Sequence, residues 1–159
     1  MDKLKAYLPQ GLLATSIATF TARLGILGWV LIALLVCMII DFLSGMAASA
    51  KESLDHPDDK NYGWSSKKGK AGILKKFGYV LVVAAAIILD FIIYKTAGYL
   101  NFDMPTSTFF GLVVSVLFIL NELLSITENA GRMGAPVPNF LKKTIAVLKN
   151  KVEEGDKDD

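Results

Sequence analysis

Three long, almost uncharged runs constrain this sequence more than any other feature. They cover residues 24–50, 77–94 and 104–127. A helix needs about 20 mainly apolar residues to cross the hydrocarbon core of a bilayer. Each run carries a single acidic residue: Asp41, Asp90 and Glu122, respectively. The runs predict an all-α membrane protein with three transmembrane helices.

The acidic residues do not defeat this prediction. Before Asp41 the first run holds eleven Leu, Ile or Val residues. On the insertion scale these contribute about −3 to −7 kcal/mol, against about +2.5 to +3.5 kcal/mol for a central Asp. Composition agrees, since 53% of the residues are hydrophobic and only 20% are charged. The single cysteine, Cys37, excludes an internal disulfide and a cysteine metal cluster.

Basic residues predict the orientation of the spans. The segment 51–76, interpreted as a polar loop, carries seven Lys residues, whereas the second loop, 95–103, carries one. Because cytoplasmic loops are enriched in Lys and Arg, we expect the first loop and the C-terminus inside and the N-terminus outside. If residues 8–22 also crossed, the N-terminus would be cytoplasmic, which suits Lys3, Lys5 and Arg23 better. A four-crossing chain is therefore the alternative topology.

The apolar runs, and the Gly and Pro residues that follow them, predict three regions. Residues 1–23 form an N-terminal interfacial segment and residues 24–130 the three-span transmembrane domain. Residues 131–159 form a cytoplasmic region, in which Gly and Pro residues precede a basic amphipathic helix and an acidic tail. The helix follows from apolar residues at helical spacing among lysines: Leu141, Ile145, Leu148 and Val152.

The three intramembrane acids are the most informative polar residues, because a carboxylate in hydrocarbon needs a partner, water or a proton. At about 1.5 Å per helical residue, Asp41 and Glu122 both approach the cytoplasmic boundary, where they could share one layer. Asp90 lies toward the outer leaflet, and we predict a pair between Arg23 and Asp90, either within one subunit or between subunits. The simpler alternative is that these acids reach headgroup water at the helix ends.

The remaining polar motifs predict no enzyme, cofactor or metal. The stretch 63–70 is not a phosphate-binding loop, because five residues separate Gly63 from Gly69 and Ala71 replaces the required hydroxyl. No nucleophile has a base and an orienting partner, and we expect no nucleic-acid partner. The basic residues before the second span form either a loop that contacts anionic headgroups or a solvated topogenic loop: Lys67, Lys68, Lys70, Lys75 and Lys76.

Three segments, in this order, resemble the phage lysis and toxin-secretion holin family. They are residues 41–45 (DFLSG), 65–76 (SSKKGKAGILKK) and 121–129 (NELLSITEN), the last followed by 134–138 (GAPVP). The resemblance implies a small protein of the bacterial cytoplasmic membrane. Such a protein accumulates and then oligomerises into lesions through which a cell-wall hydrolase, or a toxin, leaves the cytoplasm.

The resemblance and the intramembrane polar residues together imply a set of oligomerisation residues. The set is Asp41, Ser44, Gly45, Asp90, Asn121, Glu122, Ser125 and Glu128. The expected partners are further copies of the chain, membrane lipids, indirectly a peptidoglycan hydrolase, and an antiholin. Two alternatives stay open at this point. The chain could be an antiholin or membrane scaffold that regulates a separate holin, or a small ion channel subunit that uses the acids as ion sites.

Overall fold

The architecture is a bundle of helices. The computed structural model describes residues 24–59, 62–104 and 107–154. Its helices are α1 (Ile26–Asp55), α2 (Ser66–Tyr99), α3 (Phe109–Arg132) and α4 (Asn139–Glu154), and the described residues contain no strand. The first three are long and apolar enough to cross a membrane. The all-α fold with three candidate spans is thus confirmed, whereas the segment 1–23, with Arg23, lies outside the described residues.

Helix α3 is the central element of the bundle. It packs along α1 and α2, while α1 and α2 contact each other far less. The buried apolar centre consists of Leu34 and Met38 from α1 and Val83 from α2. Partly buried side chains of all three helices surround it: Leu31, Ile87, Val114, Phe118 and Ile119. All three spanning helices therefore contribute to one small core.

The outward faces of the spanning helices are apolar and large. Trp29 and Leu35 on α1 and Phe77 and Val80 on α2 are each more than half exposed. In water such surfaces would be unfavourable, since their burial is the main driving force for folding. In a bilayer they contact acyl chains instead, which explains how a chain with so small an interior can be stable.

The connection between α1 and α2 is shorter than predicted. Residues 51–55 continue α1, and α2 begins at Ser66, so the expected loop over 51–76 is wrong in extent. Ser65 starts α2 by accepting a hydrogen bond at Oγ from the Lys68 backbone N–H, 3.2 Å away, as a serine N-cap does. The lysines after it are good helix formers and extend the spanning helix into the polar region.

The predicted amphipathic helix is present as α4. The chain turns after α3 at Gly134, whose φ of +90° favours glycine, and α4 then packs against α3. Ile145 is buried with 6% of its surface exposed, whereas Phe140 and Val147 stay exposed. Helix α4 is therefore fixed at the end of the bundle where α3 finishes.

Candidate functional site

Lys76 joins the three spanning helices. Its Nζ donates a hydrogen bond to Asp41 Oδ2 of α1 at 2.8 Å and another to Glu122 Oε2 of α3. The Lys76 side chain is only 12% exposed and the Glu122 side chain is fully buried. Buried charges are tolerated when they are paired in this way. One ammonium group thus holds a carboxylate from each neighbouring helix.

Asn129 extends this cluster along the contact between α1 and α3. Its Nδ2 donates to Asp41 Oδ1 at 3.2 Å and to Ser44 Oγ at 3.0 Å. Gly45 lies beside this contact. An added Cβ there would be at an ordinary van der Waals distance, 3.5 Å, from Asn129 Nδ2, so the approach does not require glycine. Glu122 and Asn129 are seven residues apart, which places them on one face of α3.

An ion pair lies at the polar end of the contact between α1 and α3. Arg132 donates from Nε to Glu52 Oε1 at 2.7 Å and from Nη2 to Glu52 Oε2 at 2.8 Å. Its Nη1 also donates to Asn129 Oδ1 at 2.9 Å. This two-pronged geometry is the strong form of a charge-assisted hydrogen bond. We call the connected side chains the polar cluster: Asp41, Ser44, Glu52, Lys76, Glu122, Asn129 and Arg132.

Asp90 makes a separate contact at the opposite end of the bundle. Its Oδ1 accepts from the Phe110 backbone N–H at 2.9 Å and its Oδ2 from the Gly111 N–H at 2.7 Å. These amides belong to the first turn of α3, whose N-terminus favours a negative charge. Gly111 leaves room for the carboxylate, because a Cβ there would lie 3.2 Å from Asp90 Oδ2. Asp90 of α2 therefore caps α3.

The structure brings some of the predicted site residues together and leaves others apart. Asp41, Ser44 and Glu122 belong to the polar cluster. Gly45 lies beside Asn129 of that cluster, and Asp90 lies at the cap. The other predicted residues make no hydrogen bond to these groups: Asn121 and Ser125 are half-buried and Glu128 is exposed. The predicted pair between Arg23 and Asp90 involves a residue outside the described range. The role of the set in oligomerisation stays a prediction.

Of the five predicted basic residues, Lys76 alone enters the polar cluster. Lys67 and Lys70 are exposed on the first turns of α2. Lys68 Nζ donates to the Gly63 carbonyl at 3.0 Å, and Lys75 Nζ lies 5.5 Å from the centre of the Tyr79 ring. The prediction that these residues form a loop is wrong because all five lie on α2.

Sequence reasoning missed the partners of the acids. Lys76 ends a basic run, which predicts a position on the membrane surface. It also directly precedes the second apolar run, which is the signal that could have placed it against the bundle. Asn129 could have been found from its spacing to Glu122. The cap that Asp90 provides to α3 could not be predicted from residue types, because its hydrogen-bond donors are backbone amides.

The fold and the site define a small multi-pass helical membrane protein whose intramembrane polar groups bind its own helices together. A family model described as the bacteriophage holin family matches residues 18–150. This match includes the three candidate spans and most of α4. The chain belongs to the bacteriophage holin family.

Curated relatives are similar over most of the chain. An uncharacterized protein of Halalkalibacterium halodurans is 34% identical over 73% of this chain and 75% of its own length. An uncharacterized protein of Listeria monocytogenes is 35% identical over 78% of this chain and 75% of its own. An uncharacterized 14.9 kDa protein in the nagH 3' region of Clostridium perfringens is 28% identical over 95% of this chain and 99% of its own. No solved structure matches significantly.

Proposed function

We propose that this chain is a holin that oligomerises in the bacterial cytoplasmic membrane into lesions that release an endolysin, or a toxin. The observation that carries the proposal is the family match over residues 18–150. It extends across the whole bundle rather than one apolar helix, so it includes the residues of the polar cluster and of the Asp90 cap. The lesion itself has no enzymatic step.

The bundle geometry supports a closed monomer as the starting state. Asp41, Glu122 and Asp90 are each engaged within one chain, and the outward faces are apolar. Over the described spans, a single copy therefore presents lipid with a mainly apolar surface. This arrangement favours a protein that accumulates without harm over a constitutive ion channel, which needs free polar groups along its path.

Crowding supplies the step from monomer to lesion in this proposal. A hole large enough for a protein needs polar walls, and the polar cluster is the largest set of such groups between the described spans. Opening the contacts of α3 with α1 and α2 would expose Asp41, Lys76 and Glu122 to water or to a second copy. The groups that seal the monomer thus become the wall of the lesion or the contacts between copies.

The proposed orientation places the polar cluster at the cytoplasmic side. Lys67, Lys70 and Arg132 lie at the same end of the bundle as α4, and this end carries most of the basic residues of the described chain. By the positive-inside rule it faces the cytoplasm, where anionic lipids attract lysines. The C-terminal region is then cytoplasmic and the Asp90 cap lies toward the outer surface.

Expression of the chain in a bacterium that contains no other holin tests the proposal. The cells should also produce a peptidoglycan hydrolase that lacks an export signal, and cells with the hydrolase alone serve as the control. A holin should stop growth abruptly and release the hydrolase to the wall. Loss of ion gradients without hydrolase release would indicate a channel. Protection of cells that carry a separate holin would indicate an antiholin, and either result contradicts the proposal.

A further inference from the structure

One oxygen of Glu122 has no hydrogen-bond partner. Oε2 accepts from Lys76, whereas Oε1 is buried and unpaired. The whole residue is buried, with none of its surface exposed. An ionised carboxylate accepts hydrogen bonds at both oxygens and is costly to bury when one of them is left bare. The surroundings of Glu122 therefore suit a neutral carboxyl group better than a charged one.

The charges around Glu122 do not balance when both acids are ionised. Lys76 is one cation between two carboxylates. The charged form of Asp41 is better stabilised than that of Glu122, because Asp41 accepts hydrogen bonds from both Lys76 and Asn129. Arg132 is already held by both oxygens of Glu52. One negative charge thus remains in the interior, where an uncompensated charge is strongly unfavourable.

The other nearby groups do not supply the missing cation. Lys75 of α2 lies within electrostatic range of Glu122, but it is exposed and its ammonium lies over the Tyr79 ring. Cys37 of α1 is also within range and is a neutral thiol. From α4, Lys142 lies against Gly131, about two and a half turns further along α3.

We propose that Glu122 is a proton-binding site, so that a protonated Glu122, Lys76 and an ionised Asp41 form an electrically neutral layer between the three spanning helices. This inference concerns the closed bundle and does not depend on lesion formation. Loss of the proton would leave a negative charge sealed between α1, α2 and α3. The charge is relieved when the helices part and water enters, so proton release favours the open bundle.

Carbodiimide labelling of the full chain in lipid vesicles tests the protonation of each acid. Hydrophobic carbodiimides such as dicyclohexylcarbodiimide react with protonated carboxyl groups. Mass spectrometry should find the label, or an isopeptide bond to Lys76, at Glu122, and labelling should decrease as the pH rises. Asp41 and Asp90 should stay unlabelled as internal controls. Labelling of Asp41 in place of Glu122, or of neither residue, overturns the proposal.

Two variants distinguish labelling that reports protonation of Glu122 from labelling that reports only its accessibility to the carbodiimide. In Asp41→Asn, Glu122 is the one acid left for Lys76 to neutralise, so Glu122 should ionise and no longer be labelled. The carbodiimide reaches Glu122 as easily as before, so a loss of labelling would reflect ionisation. In Asp55→Asn, the same change at an exposed acid outside the polar cluster, labelling of Glu122 should equal that of the original chain. Unchanged labelling in Asp41→Asn would show that the charge balance does not hold the proton.

Thermal unfolding in detergent micelles gives an independent readout. An unfolded chain loses the Glu122 proton above about pH 4, whereas the folded bundle keeps it. The stability of the bundle should therefore fall as the pH rises above that value. Glu122→Gln keeps the shape of a neutral carboxyl group and should remove this dependence while the protein stays folded. The same slope in Glu122→Gln and the original chain contradicts the proposal. Both tests use purified protein and are therefore separate from any failure of lysis.

Discussion

Single side chains carry the contacts between the spanning helices. Lys76 is the clearest case, because it is the only described cation that bonds to two carboxylates from two different helices. Removing one member of a buried charge group leaves the others unpaired, which costs more than the group contributed. The stability of the bundle should therefore depend on Lys76 far more than on the other lysines of α2.

Replacement of Lys76 by Met tests this dependence. Asp41 and Glu122 would then lose the ammonium group that both contact, and the free energy of unfolding should fall by about 3–5 kcal/mol. Denaturant titration in micelles measures it. Lys67→Met is the matched control, since Lys67 is exposed on the same helix, and it should have little effect. Equal losses in the two variants would show that Lys76 makes no specific contribution.

Asp90 is the corresponding residue at the other end of the bundle. Asp90→Ala removes the acceptor of two backbone amides of α3, so the buried Gly111 N–H and the partly buried Phe110 N–H both lose their partner. The free energy of unfolding should fall by about 1–3 kcal/mol. The exposed Asp103 provides the control Asp103→Ala, and amide hydrogen exchange at Phe110 and Gly111 locates the effect. Unchanged exchange at these two amides would argue against the cap.

At the scale of elements, the start of α2 is fixed by packing as well as by its cap. The Trp64 ring lies against Gly69, where a Cβ would be 2.6 Å from Cζ2. The same ring meets Phe42 of α1 edge to face, with 5.7 Å between the ring centres. This contact ties the turn before α2 to α1, which aligns Lys76 with Asp41.

A pair of glycines on α2 tests that packing. Gly69→Ala should displace Trp64, which changes its fluorescence in a Trp29→Phe background and lowers the melting temperature. At Gly78 an added Cβ would have no neighbouring atom within 4 Å. Because alanine is more favourable than glycine inside a helix, Gly78→Ala should stabilise α2 by about 0.5–1 kcal/mol. If both variants shift the melting temperature in the same direction, the Trp64 contact has no role.

For the whole molecule, the apolar runs were sufficient to predict three helices, because hydrocarbon thickness fixes the length of a span. Counting along those helices also placed Asp41 and Glu122 at a common depth, and the structure joins both to Lys76. The partners were harder to predict. A lysine at the end of a basic run has the same sequence signature whether it points to water or into the bundle, and the Asp90 cap uses backbone amides.

Orientation is the property of the whole molecule on which the proposed function depends most. In a Cys37→Ala background, Asp103→Cys lies in the connection before α3 and Asn150→Cys lies on the exposed side of α4. A membrane-impermeant maleimide added to intact spheroplasts should label position 103 at once and position 150 only after permeabilisation. The reason is that the lysine-rich end of a membrane protein favours the cytoplasmic side. The reverse pattern would place the polar cluster at the outer surface and contradict the proposed orientation.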